Sequence, residues 1–201
     1  AIASSLSAER CDIFTDVKGV FTSDPNIVSD AKKIDKLAYE EMLEMASTGA
    51  KVLQTRSVEL ALKNNLTLQV LSSFTNAEGT YIINEDKLIE KEIVSGVSYS
   101  GNESKLTISG IPDKPGISAK IFGLMARSNI NVDMIVQNIS QDGIFANMTF
   151  TVPTKDLSLA KKILQNNINQ INYRNLSSNS DIVKISVIGM GMMSQTGVAE
   201  K

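Results

Sequence analysis

From residue 105 to residue 171 the chain changes hydrophobic period repeatedly, and the order of those changes limits the available folds more than any other feature. "KLTISG" (105–110) alternates as a strand does, and the stretch from "ISAK" onward has helical spacing. "INVDMIVQNIS" and "GIFANMTFTVP" alternate again around the turn "QDG", and "DLSLAKKILQNNINQI" returns to helical spacing. This βαββα order, with a last strand to close it, suggests a small ferredoxin-like sheet with its helices on one face. "KISVIG" (184–189) repeats "KLTISG", and each copy leads through a short polar loop and a glycine (Gly116, Gly197) to an apolar helix start. Two copies are too few for a solenoid and suit two tandem modules.

The preceding residues have another texture. Residues 1–9 have helical composition without an N-cap, "CDIFTDV" reads as a strand, and "KGVFTSDPNIVSD" reads as a loop. "IDKLAYEEMLEMASTGAK" has helical spacing with Gly49 at its C-terminal end. A second helix over about 52–64 and the strand "LTLQVLSS" complete an α/β layer packed on a sheet. Polar turns around the short strands "GTYII" and "EIVSGVSYS" follow, so we expect a first domain over 1–92, a linker over 93–104, a module over 105–180 and a second module starting at 181–201. That second module stops in the first turn of its helix, which cannot nucleate alone, and the opening helix is uncapped. An internal piece of a longer protein is therefore expected.

Composition narrows the chemistry. The chain has no histidine, which removes His-based acid and base schemes and nearly all zinc sites, leaving Lys, Asp, Glu, backbone amides or a bound cation. The single Cys11 excludes an intramolecular disulfide and reads as a small residue at a strand start. A net charge of -2 without a basic run gives no footprint for nucleic acid. No apolar run approaches the roughly 18 residues of a membrane span, and the start lacks the pattern of a signal peptide, so a soluble cytoplasmic protein is expected.

Three stretches carry candidate chemistry. In "FTDVKGVFTSDPN" a strand runs into a loop with Thr15, Asp16, Lys18, Gly19, Ser23 and Asp24, a set that suits a nucleotide or its metal ion and equally an ordinary surface turn. In "STGAK", Gly49 permits a sharp turn and Lys51 precedes a helix, where it either meets phosphate or is a plain surface lysine. In "IPDKPGISAK", Pro115 and Gly116 start a helix whose amide groups and dipole favour a carboxylate by about 0.3–1 kcal/mol. Asp113 and Asp133 would then hold an ammonium, making an amino-acid pocket; the alternative is a helix cap and a solvated strand residue.

These residues carry a family resemblance. "TDVKGVFTSDPNIVSDAKKIDKLAYEEMLEMASTGAKVLQTRSVELA" resembles the end of the catalytic domain of aspartokinases, "SGIPDKPGISAKIFGLMARSNINVDMIVQNIS" resembles their first ACT domain, and "VKISVIGMGMMSQTGVA" is similar to the start of the second. The resemblance implies an α/β protein: part of an amino-acid-kinase α/β/α sandwich over 1–92, a ferredoxin-like βαββαβ ACT domain over 105–180, and the start of another ACT domain. It also implies ATP-dependent phosphorylation of the β-carboxylate of L-aspartate to 4-phospho-L-aspartate, the first step toward diaminopimelate, lysine, threonine and methionine, with magnesium as the ATP counter-ion. By the same resemblance Thr15, Asp16, Lys51 and Val52 contact the nucleotide. Phe21 stands where many members have tyrosine and Asn26 where the pattern has arginine, which removes a phenolic hydrogen bond and a cation.

The family's Lys-Phe-Gly-Gly motif and its Gly-rich loop would precede residue 1, so no catalytic residue is expected in this chain. An effector site for L-lysine or L-threonine maps onto Asp113, Gly116, Ser118, Asn131, Val132, Asp133 and Gln137. It is completed between paired ACT domains, implying a homodimer and allosteric feedback. The readings set against this are an amino-acid-binding regulatory module without kinase activity, and another amino-acid kinase, which leaves the two repeats unexplained.

Overall fold

The computed structural model describes residues 1–88, 93–140, 143–189 and 191. The chain forms two compact units, one of Ala1–Ser100 with the described residues from Ile185 onward, the other of Gly101–Lys184. The architecture is mixed α/β, as expected.

The first unit opens with a short helix α1 (Ile2–Ser5) and continues through β1 (Arg10–Thr15), β2 (Lys36–Ala38), α2 (Tyr39–Thr48), α3 (Thr55–Lys63), β3 (Thr67–Ser72), β4 (Thr80–Ile83) and β5 (Gly96–Ser100). Four of these strands form a sheet in the order β1-β3-β4-β2, parallel between β1 and β3 and between β2 and β4, antiparallel between β3 and β4. Helix α2 buries Tyr39, Met42 and Met45, three residues apart on one face, and α3 buries Val58 and Ala61; both meet Leu37, Leu68, Val70 and Ile82 from the sheet.

The helix expected from Ile34 onward begins only at Tyr39. Leu37 and Ala38, both buried, pair with Ile82 and Ile83 of β4, and that burial overrides the helical spacing seen in sequence. The Glu41 carboxylate then accepts from the Ala38 N–H at 3.3 Å, closing the first turn of α2.

The second unit runs β6 (Glu103–Pro112), α4 (Ile117–Arg127), β7 (Asp133–Ile139), β8 (Phe145–Pro153), α5 (Leu157–Asn166), α6 (Ile168–Ile171) and β9 (Asn175–Asn179). Its antiparallel sheet has the order β7-β8-β6-β9, the expected βαββαβ arrangement. Leu106 and Ile108 of β6 and Met148, Phe150 and Val152 of β8 alternate into the core. Ile121 and Met125 of α4, with Ala160 and Leu164 of α5, cover them at four-residue spacing. Phe122 meets Phe150 edge to face, with ring centroids 5.5 Å apart and planes at 75°.

A bulge interrupts β6 between Ile108 and Ile111, which is why Ile111 and not Gly110 continues the inward face. Gly110 takes a φ of 69° there and its N–H donates to the Asn147 side-chain oxygen at 3.1 Å. The single helix expected over 156–171 is two. Asn167 interrupts it, and its side chain donates to the Ile163 carbonyl at 2.8 Å in competition with the backbone. Strand β10 (Lys184–Ile188) pairs with β5, which falls within the stretch "EIVSGVSYS" read as a short strand. The helix expected after Gly197 lies outside the described residues.

Candidate functional sites

Strand β1 ends on Thr15, beside the end of its parallel neighbour β3, where the Ser73 N–H donates to the Thr15 carbonyl at 2.8 Å. The Thr15 hydroxyl donates to Asp16 Oδ1 at 3.0 Å, so the structure brings these two together at the carboxyl edge of a parallel strand pair, the usual place for a ligand in such a sheet.

The loop after Asp16 is held as two paired legs with an open tip. Phe21 bridges Lys33 in antiparallel fashion, the Thr22 N–H donates to the Lys32 carbonyl at 2.8 Å, and the Lys32 N–H donates to the Thr22 hydroxyl at 3.0 Å. Thr80, fully buried at the start of β4, ties the legs together: its hydroxyl accepts from the Val20 N–H at 2.8 Å and donates to the Ile34 carbonyl at 2.6 Å. Gly19, at φ 139°, passes so close above it that a Cβ would come within 2.6 Å of the Thr80 hydroxyl. Lys33 donates to the Glu78 and Gly79 carbonyls at 2.9 and 3.1 Å and pairs with Asp35 at 2.7 Å, so its charge is used within the fold. That hydrogen bond, and then the lysine's charge, hold the Asp35 carboxyl below its ordinary range.

At the tip, Asp24 Oδ1 accepts from the Asn26 N–H at 2.9 Å and from the Asn26 side chain at 3.1 Å, so Asn26 serves the turn itself. Lys51 is exposed on the turn between α2 and α3 and makes no hydrogen bond or ion pair among the described residues, whereas Val52 packs against the core of the unit. No direct bond joins Lys51 to Thr15, Asp16 or Asn26 among the described residues.

In the second unit, Gly116 stands at the N-cap of α4 with φ 86°, and no side chain caps that helix. Asp113 is exposed; its N–H donates to the Ile144 carbonyl at 3.0 Å, while its carboxylate makes no hydrogen bond among the described residues. The Ser118 hydroxyl and Gln137 Oε1 meet at 3.4 Å, joining α4 to β7. Asn131 is exposed and Val132 packs against the core just before β7.

Asp133 opens β7 and already holds an ammonium: Lys184 Nζ lies 2.6 Å from its Oδ2, and the Met134 N–H donates to its Oδ1 at 2.8 Å. Lys184 also reaches Glu103 Oε1 at 2.8 Å. The hydrogen bond from Lys184, then that from Met134, hold the Asp133 carboxyl below its ordinary value. Burial alone would lower Lys184, but its two carboxylate partners outweigh that and raise it. Thr80, Lys33, Glu103 and Lys184 escaped the sequence analysis, because their partners lie 45 to 60 residues away or, for Glu103 and Lys184, at opposite ends of the unit.

Among the described residues no group of three or more His, Cys, Asp or Glu is placed to hold a metal ion, and no helix is long and apolar enough to cross a membrane.

Comparison with known proteins agrees with this layout. The sequence pattern of the Amino acid kinase family matches residues 1–72, and that of the ACT domain matches 106–169. An aspartate kinase of Pseudomonas fluorescens (strain SBW25) is 48% identical over 202 residues, covering all of this chain and 49% of that protein. E. coli aspartokinase III in complex with aspartate and ADP (R-state) superposes on 99% of this chain with a TM-score of 0.82 and 30% identity, over 44% of its own length. The same E. coli enzyme in complex with lysine and aspartate (T-state) superposes on 94% with a TM-score of 0.74 and 31% identity, over 41% of its length. The regulatory subunit of aspartate kinase from Thermus thermophilus, 33% identical, matches 55% of this chain and 72% of its own length with a TM-score of 0.50. The chain spans about half the length of the curated relatives it matches.

Proposed function

This chain belongs to the aspartate kinase family, and from that premise we propose that it serves in ATP-dependent phosphorylation of the β-carboxylate of L-aspartate, under feedback control by an amino acid. The observation that carries this reading is the fit of 99% of the chain to an aspartokinase bound to aspartate and ADP. A carboxylate oxygen of aspartate attacks the γ-phosphorus of ATP, ADP leaves, and 4-phospho-L-aspartate forms. Such transfer rests on positioning and on neutralising charge, which a chain without histidine can supply. Thr15 and Asp16 hold the nucleotide at the end of β1, Phe21 lends its ring from the clamped leg, Val52 seats the turn, and Lys51 faces the phosphates. Asn26 shapes the tip without contributing a cation. Magnesium bound with the ATP phosphates would neutralise part of their charge.

The regulatory site is made of Asp113, Gly116, Ser118, Asn131, Val132, Asp133 and Gln137, with L-lysine or L-threonine as effector; the E. coli structure with lysine supports that ligand class. Strand β7, exposed along its length at the sheet edge with Met134, Ile135, Val136 and Ile139 uncovered, offers the surface for a homodimer. The division that goes with this reading assigns 1–92 to the kinase part, 105–180 to the first ACT domain and 181–201 to the start of the second, with β5 pairing its first strand. The setting is the cytoplasm.

Lys51→Ala in the full-length protein is expected to lower kcat/KM for ATP about tenfold or more, because it removes a cation from the phosphates. Steady-state kinetics with ATP varied at saturating L-aspartate check this; unchanged ATP kinetics would take Lys51 out of the nucleotide site.

A further inference from the structure

Asp133 is assigned above to an effector's ammonium, yet its Oδ2 already carries one from its own chain. The pair is asymmetric. The Lys184 side chain is 9% exposed and Glu103 15%, whereas Asp133 is 64% exposed. The lysine therefore sits on an inner carboxylate and is covered by an outer one that also faces incoming solutes. The inner carboxylate has capacity to spare, because Glu103 Oε2 is buried and has no hydrogen-bond partner. Lys184 can thus give up Asp133 and keep a charged partner, so the exchange leaves no buried cation unpaired.

A second ammonium on Asp133 would stand close to Lys184, and two like charges sharing one carboxylate repel each other. We infer that Lys184 is a built-in competitor of the effector, holding the Asp133 carboxylate against any amino acid that binds through its ammonium and shifting onto Glu103 when one does. Lys184 thereby sets how much affinity such a ligand gains from Asp133. Linkage makes the effect reciprocal: a bound effector loosens the Lys184–Asp133 pair by the factor by which that pair weakens the effector. Lys184 is also the first residue of β10. This inference rests on the assignment of Asp133 to the regulatory site.

The test is calorimetric titration of the full-length protein with L-lysine and with L-threonine. Lys184→Met keeps the aliphatic stem and drops the charge, and it is expected to tighten effector binding about fivefold, the scale of one partly exposed ion pair. Lys184→Arg keeps the charge and should stay near wild type. Glu103→Gln weakens the alternative seat, so effector binding should loosen about threefold; it supplies the answer if Lys184→Met does not fold. Tightening with both ligands points to the α-ammonium on Asp133, and tightening with L-lysine alone points to the side-chain ammonium; both support the inference. Asp133→Asn separates the two levels of the argument. If it weakens binding while folded Lys184→Met and Glu103→Gln proteins bind as wild type does, the competitor role is overturned and the site stands. If Asp133→Asn leaves binding unchanged, or if neither amino acid binds, the site assignment fails and the inference falls with it.

Discussion

Gly49→Ala is expected to destabilise the first unit by about 4 kcal/mol and to impair ATP use with it. Gly49 closes α2 at φ 134°, a conformation that an L side chain adopts only with strain of about 1–3 kcal/mol. A Cβ at this position would also overlap the Tyr99 carbonyl oxygen, and overpacking against backbone adds about 1–3 kcal/mol. Strand β5 cannot retreat cheaply. The Val97 N–H donates to the Thr22 carbonyl at 2.7 Å, and the Ser98 hydroxyl donates to that of Thr48 at 2.5 Å. The same turn carries Lys51, so any relief of the clash moves the proposed phosphate contact. Urea unfolding of the variant beside wild type, with ATP kinetics on the folded fraction, measures both; a loss below about 1 kcal/mol would mean that the turn tolerates a side chain.

Phe150→Ala is expected to cost the second unit about 3–5 kcal/mol. Phe150 is wholly buried in β8, beside Leu106 of β6 across the sheet and in edge-to-face contact with Phe122 from α4. Its removal leaves a cavity in the layer that joins sheet to helices, and Ile121 and Met125 cannot fill it without leaving their own places on α4. Because the candidate effector residues Ser118 and Gln137 sit on α4 and on the edge strand β7, effector binding should weaken along with stability. Thermal unfolding followed by circular dichroism reads the first effect. A stability within about 1 kcal/mol of wild type would contradict the packing described.

The parts of the fold that could be read in the sequence are those where one short period decides burial. Leu106 and Ile108, or Met148, Phe150 and Val152, alternate as strands must, and Ile121 with Met125 keeps helical spacing; each pattern matches the face that is buried. Thr15 and Asp16 were legible as a strand end for the same local reason. What could not be read depends on partners far along the chain. Lys36–Ala38 becomes a strand only because β4 lies beside it. Thr80 clamps a loop 60 residues before it, and nothing near Thr80 in the sequence marks that role. Asp133 looked like a free carboxylate because its ammonium partner is 51 residues away. Asn167 reads as one polar position in a helix, and only its side-chain bond to the Ile163 carbonyl marks the break.

The two candidate sites differ in what the geometry leaves available. In the first unit Lys33 is engaged by two carbonyls and Asp35, while Lys51 stands exposed with no ion pair among the described residues, which leaves its charge open for the proposed phosphate contact. In the second unit Asp133 is engaged by Lys184 while Asp113 is exposed, so the two carboxylates of the proposed effector site are not equivalent.

The central claim, a kinase for L-aspartate held in check by an amino acid, is tested most directly by assaying acyl-phosphate formation in the full-length protein with ATP, trapped as the hydroxamate, while L-lysine and L-threonine are titrated in. The account predicts product that requires both ATP and L-aspartate and that falls saturably as one of the two amino acids is added. Product without dependence on L-aspartate, or a rate that neither amino acid lowers, would contradict it.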